Sequence, residues 1–282
     1  MRSLFVSGII VLASVAPALA GNWNSNEVAY WYGDDFREPG VSKGGLAEQI
    51  PKNIVTVTHV DGIGFLENFI NIDVLKSTSG DPAESSSFGA TEVYVVDRQS
   101  LSMNKMLETK AFAYYPVKDV ELVAGIDVNT KDTAFAPFKR MPVAGMALSF
   151  DVPGFWKVAA LWDKEWNYNG ITNTRVNYDS TYRFETAWDI PFAISAANFT
   201  FEGYGVLNGA KGIDGFGDKT KDELLIHSQV MLDVGSWFDH PKLLKISAGY
   251  EYWLNKFGAN NTTTRGAFAQ TPFVRVSTVF SF

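Results

Sequence analysis

Along most of the chain, apolar side chains return at every second position. Near the C-terminus Val274, Val276, Thr278, Phe280 and Phe282 fall on one face, while Arg275, Ser277 and Ser281 fall on the other. From Leu244 to Leu254 the even positions read Leu, Ile, Ala, Tyr, Tyr, Leu and the odd ones Lys245, Ser247, Gly249, Glu251 and Trp253. The same alternation opposes Ile226, Val230 and Leu232 to His227, Gln229 and Asp233. It opposes Val120, Leu122, Ala124, Ile126 and Val128 to Asp119, Glu121, Gly125 and Asp127, and Ile70, Ile72 and Val74 to Glu67, Asn71 and Asp73. A period of two is the signature of strands with one apolar face. It predicts strands near 27–36, 53–61, 65–76, 91–102, 118–129, 141–151, 155–166, 178–188, 194–206, 223–237, 243–257 and 271–282, an even set of twelve.

The connections alternate in length. Segments 61–64, 152–154, 189–193 and 238–242 are tight and hold Gly62, Pro153, Pro191 and Pro241. Segments 37–52, 77–90, 130–140, 167–177, 207–222 and 258–270 are long and rich in Gly, Ser, Asn, Thr and Asp. With an even strand count every tight turn falls on one rim, and only 103–117 is long on that rim. Lipid satisfies no backbone group, so a sheet in a membrane must close on itself and turn its apolar face outward. The expected fold is therefore all-β: a closed antiparallel transmembrane β-barrel of about 12 strands, with short periplasmic turns and long extracellular loops. A soluble β-sandwich would bury the apolar face as a shared core and gives no reason for the loops to alternate. Aromatics beside the strand ends (Trp156, Trp162 and Trp166, then Tyr178, Tyr182 and Trp188, then Trp237 and Phe238) fit interfacial girdles.

Residues 1–20 combine Arg2, an apolar run from Leu4 to Val15, Pro17 and small residues at Ala18 and Ala20, the layout of a cleaved secretory leader, leaving 21–282 as the barrel domain. Beyond it no apolar run approaches the length of a membrane-spanning helix. The chain has no cysteine, which suits export to an oxidising compartment. Lys+Arg number 24 against Asp+Glu 31, with no basic cluster, so nucleic acid has no footprint to hold. His59, His227 and His240 lack metal-site spacing, and no phosphate loop is present, so no cofactor or metal is expected.

If the apolar face meets lipid, the lumen carries Glu67, Asp73, Asp119, Glu121, Asp127, Asp163, Glu185, Glu202, Asp233 and Glu251 against Lys157, Arg183, Lys245 and Arg275. Such a wall disfavours anions. Aromatic rings share that face: Phe65 and Phe69 flank Glu67 ahead of Asn71 and Asp73, and Trp253 follows Glu251. A flat ring beside carboxylates and amides suits a solute with an aromatic base and a hydroxylated sugar. These seven residues are the candidate solute contacts; inward packing against an N-terminal segment is the bland alternative.

Asn68-Phe69-Ile70-Asn71-Ile72-Asp73-Val74, then Glu92 to Ser102, then Tyr115-Pro116-Val117-Lys118-Asp119-Val120 together resemble the nucleoside-specific channels of the Tsx family and the related OmpK-type outer-membrane proteins. The family shows an aromatic-rich strand ending in acidic and turn residues, a strand closing on Pro-Arg-x-Ser, and a Phe-Gly-Pro-Val-Lys-like connection. Here Asp97 stands where the proline is usual, and Tyr114-Tyr115 replaces Phe-Gly. The resemblance implies a twelve-stranded barrel, a long 103–117 connection on the periplasmic side, and passage of nucleosides or related small solutes.

The expectation is a monomeric channel in the outer membrane of a Gram-negative bacterium. Its partners are the lipid bilayer, a small-molecule solute, and the barrel assembly machinery, which would read the terminal series ending in Phe282. One rival is a plugged structural or adhesive barrel with phage-receptor-like loops, and the plug would be residues 21–30. A lipid hydrolase is a further rival, but it needs a Ser/His pair on the lipid wall. Adjacent His227 and Ser228 must point to opposite faces, so the chain is not expected to be an enzyme.

Overall fold

The computed structural model describes residues 23–281. The leader 1–20 and the terminal Phe282 lie outside them. Twelve antiparallel strands form the wall: β1 (Trp23–Phe36), β2 (Ile50–Ile63), β3 (Leu66–Ser77), β4 (Thr91–Ser102), β5 (Val117–Lys131), β6 (Arg140–Phe150), β7 (Phe155–Asp163), β8 (Thr181–Ile194), β9 (Ala197–Asn208), β10 (Glu223–Asp233), β11 (Lys245–Leu254) and β12 (Phe268–Phe280). Each pairs with its neighbours in sequence. β1 also pairs with β12, from Asn26 opposite Phe280 to Gly33 opposite Phe273, which closes the ring and leaves the wall no free edge.

Two-residue turns at Gly64-Phe65 and Ser195-Ala196 lie on one rim, each opening with a positive φ (Gly64 60°, Ser195 55°). That rim also holds 151–154, 234–244 and the long 103–116, which begins with a helical turn, Met103–Met106, capped by Ser102. The other rim carries 37–49, 78–90, 132–139, 164–180, 209–222 and 255–267. In the first of these Ser42–Lys43 pairs with Leu46–Ala47 around Gly44-Gly45, both at positive φ, as a tight hairpin requires. In 164–180, Trp166–Asn169 pairs with Thr174–Asn177 and extends the wall.

Three expectations need correction. The connection expected to be tight at 238–242 spans 234–244 and carries a helical turn, Gly235–Phe238, so 103–116 is not alone in being long on its rim. Segment 189–193 is not a turn: β8 runs straight through Pro191, which pairs with Thr200. The last β8 residue paired with β7 is Asp189, so Pro191 sits where that flank has no ladder left to interrupt, and proline is tolerated there. Tyr178 is not a girdle residue; it is buried among the extracellular loops beneath Lys211.

The faces follow the alternation. Val28, Val57, Val74, Phe184, Ile226, Val230, Ile246 and Val274 stand outward and exposed, and Trp162, Trp166 and Tyr182 ring the long-loop end while Trp156, stacked on Phe150, stands at the other. Asp119, Glu121, Asp127, Asp163, Arg183 and Glu251 are buried on the inner face. The orientation is checked by labelling intact cells: Asn261→Cys should react readily with an impermeant maleimide and Asp239→Cys should not. Equal labelling would show that the rims are exchanged.

Candidate functional site

The lumen is built unevenly. On the middle stretches of β5, β6 and β7 the inward residues Val123, Met141, Val143, Ala147, Ala159 and Leu161 are small or apolar and form one buried cluster. This low wall leaves space for long charged side chains to reach across it. Arg98 on β4 contacts Glu185 on β8 at 2.6 Å and Asp127 on β5 at 2.8 Å. Arg183 on β8 also meets Asp127, at 3.2 Å, and donates to Glu185 and Asn208. Nearer the short-turn rim, Lys157 on β7 reaches Glu67 on β3 at 2.5 Å and Glu121 at 2.9 Å. Charges taken from water hold together only when paired, as these are.

At the extracellular mouth the chain turns inward just after β1. The Glu38 carboxylate accepts from Lys52 at 2.5 Å and lies 3.4 Å from both Lys131 and Lys256. Lys131 also meets Asp81 at 2.7 Å. Burial pushes the Glu38 carboxyl up, but the ammonium groups of Lys256, Lys52 and Lys131 override it and hold it well below the usual carboxylate range. Across the mouth Lys211 donates to Glu165 and lies over the Tyr178 ring at 4.4 Å. Burial raises the Tyr178 hydroxyl to about 12. Burial likewise disfavours the Glu165 carboxylate, yet Lys211 and Lys139 hold it below its ordinary value.

The opposite wall carries rings. His227 on β10 is stacked between Phe273 on β12, 4.4 Å away, and Tyr204 on β9, 5.0 Å away, with Trp31 on β1 meeting it edge-on at 5.4 Å. Glu251 lies 3.3 Å from His227 Nδ1. The stack depends on Gly249 of β11, since a Cβ there would come within 2.2 Å of the Phe273 ring. Trp31, Phe273 and His227 are buried, but Tyr204 is 40% exposed although it points inward, so a ring face is open to the bore.

Of the seven candidate contacts, Phe69, Asn71 and Asp73 share the inner face of β3. Asp73 accepts from Thr56 at 2.5 Å and from Asn71 at 3.0 Å, and lies within electrostatic reach of Arg275 and His227. Glu67 is on the same face but is held by Lys157. Phe65 is not in the lumen wall: β3 begins at Leu66, and Phe65 sits in the two-residue turn, 46% exposed. Glu251 joins the ring stack. Trp253 lies apart near the mouth, where it donates to Glu223 at 2.7 Å and carries Lys256 over its ring. Residues 23–30 belong to a wall strand and plug nothing; the chain that enters the mouth is the segment around Glu38. His227 faces the lumen, and its pairing partner ladder puts Ser228 on the lipid side, as alternation requires. Sequence reasoning missed Arg98, Tyr204, Trp31 and Phe273. Phe273 was legible, because it shares the parity of Arg275.

No family model and no curated protein matches the sequence. Among solved structures, the COG4313 outer-membrane channel from Pseudomonas putida F1 is similar, with a TM-score of 0.50, 13% identity, and coverage of 93% of this chain and 97% of that one. Weaker likenesses are the translocator domain of autotransporter NalP from Neisseria meningitidis (TM-score 0.44, 11% identity, 92% and 88% covered) and OccK5 of Pseudomonas aeruginosa (0.31, 9%, 93% and 98%). The COG4313 channel shares the fold found here, and the chain has the closed antiparallel β-barrel fold of outer-membrane proteins.

Proposed function

We propose that the barrel is a channel for small hydrophilic solutes, and that its solutes are nucleosides or molecules of similar build. The observation that carries the reading is the inner wall: an exposed ring at Tyr204 and a half-buried one at Phe69, with hydrogen-bonding carboxylates and amides at Asp73 and Asn71. The sequence resemblance of 68–74, 92–102 and 115–120 to nucleoside-specific channels supports the same solute class. A base stacks on a ring face and ribose hydroxyls donate to a carboxylate. The binding stays weak enough for release. The acid-rich wall favours neutral or cationic solutes over anions.

The test is planar-bilayer conductance with and without added nucleosides: block supports the reading, and a conducting channel that nucleosides leave untouched sinks the solute assignment. Removing a stacking ring costs about 1–3 kcal/mol in nucleic-acid sites, and about 1.4 kcal/mol is tenfold in affinity. Phe69→Ala and Tyr204→Ala should each weaken nucleoside block about tenfold while salt conductance changes little. Phe65→Ala, in the turn, should leave block as it was.

A further inference from the structure

Towards the extracellular end of β6 and β7 the outer wall changes character. Pro142, Ala144, Met146 and Leu148 are the outward residues of β6, and Val158, Ala160 and Trp162 stand beside them on β7. Past this apolar band the outward residues are basic. Arg140 opens β6, Lys164 continues the parity of Trp162, and Arg175 lies on the hairpin that extends the wall. The register puts them on one face: Arg140 lies opposite Trp166, Trp166 opposite Asn177, and Arg175 opposite Tyr168. Trp166 is exposed there, and Val176, of the opposite parity, is buried.

The three cations are not committed to carboxylates. Arg140 Nη1 donates to the carbonyls of Asn129 and Lys139, and the guanidinium carbon lies 3.6 Å from the centre of the Phe138 ring. Lys164 donates to the Tyr178 carbonyl. A guanidinium carries five N–H donors and an ammonium three, so most of them remain open to a ligand. Among the described residues no carboxylate lies within ion-pairing distance of Arg140, Lys164 or Arg175. Acid appears on the β8 flank, where Asp222 accepts from the Tyr182 hydroxyl and Asp179 lies against Gly212. In a chain of net charge -7, three open cations on one face stand against the sign of the whole.

We propose that this patch holds the phosphorylated sugar headgroup of the glycolipid that builds the outer leaflet of an outer membrane. Height and charge together name the occupant. Tyr182 and Trp162 are paired, and such rings settle where acyl chains give way to headgroups. At about 3.3 Å per residue along a strand tilted by about 40°, Lys164 lies about 5 Å above Trp162, at the height of the phosphates. Arg140 is one strand away. Phosphate oxygens take a guanidinium through two parallel hydrogen bonds, and Arg140 has the donors to make them. Trp166 and Phe138, 45% and 50% exposed, give sugar rings flat faces to lie on. Arg175, opposite Tyr168, stands farther out, among the sugars. The contact is independent of the solute that passes.

The probe is diphosphoryl lipid A, titrated onto the detergent-purified barrel and counted by native mass spectrometry. The wild type should retain one lipid A, and Arg140→Gln combined with Lys164→Gln should weaken retention about tenfold, since each basic group at an anionic surface adds to the attraction. Lys76→Gln, which removes an exposed outward cation on β3, should change nothing. Dephosphorylated lipid A should bind the wild type and the double variant alike. Undiminished binding of diphosphoryl lipid A by the double variant overturns the proposal, and so does an equal loss in Lys76→Gln. Phosphatidylglycerol that binds as tightly as lipid A, or millimolar inorganic phosphate that displaces it, also overturns the proposal, because the patch would then read any phosphate. If the double variant is no longer heat-modifiable, Arg175→Gln on the hairpin beyond the closed ring takes its place: a smaller loss of the same kind supports the site, and none overturns it.

Discussion

Alanine at Arg98 should cost about 3–5 kcal/mol of barrel stability, the scale on which removing one partner leaves a buried charge uncompensated. Asp127 has no exposed surface, and Arg98 and Arg183 are the groups that neutralise it. Glu185 loses its 2.6 Å contact at the same stroke. The readout is the urea midpoint of the heat-modifiable form in detergent. Adding Asp127→Asn to Arg98→Ala should recover a large part of the loss, because the stranded charge is then gone. If Arg98→Ala unfolds at the wild-type midpoint, the cluster is not a structural element of the bore.

Glu38→Gln should raise single-channel conductance severalfold. The neutral amide no longer offsets Lys52, Lys131 and Lys256, whose ammonium groups then repel one another and release the chain that enters the mouth. The accompanying pH dependence has a fixed sign. The folded-state carboxyl is held below its ordinary 4.5. Its contribution is therefore fully present above that value and is lost only as pH falls below it, through the folded pKa. Wild-type conductance should stay flat across the neutral range and rise on strong acidification, while Glu38→Gln should be high throughout. A variant that conducts like the wild type would mean that the segment around Glu38 does not obstruct the path.

The wall was legible in the sequence because it rests on local alternation and turn chemistry. Lys245, Ser247, Gly249 and Glu251 announce their face without reference to anything distant. Pro191 misled because its cost depends on whether a neighbouring strand is paired at that height, which only the assembled ring decides. Phe65 misled because a period of two cannot show where the turn begins. The contents of the bore were less legible. Arg98 meets Glu185 across four strand-to-strand steps, and the space it uses is left by Val143, Ala147 and Ala159 on strands in between. Glu38 looked like a residue of a solvated loop, and only the convergence of three lysines from separate elements reveals its position.

The reach of Arg98 to Glu185, repeated lower down by Lys157 to Glu67, draws a chord across the ring instead of a collar around it. A collar would narrow the aperture evenly and sort permeants by girth alone. A chord fences off β5 to β7 and leaves the inner faces of β9 to β12 and of β3 together on its other side. On the channel reading proposed above, a solute passes on that side with one flank against Tyr204 and the other near Asp73, so flatness and the placement of its polar edge count for more than its overall bulk.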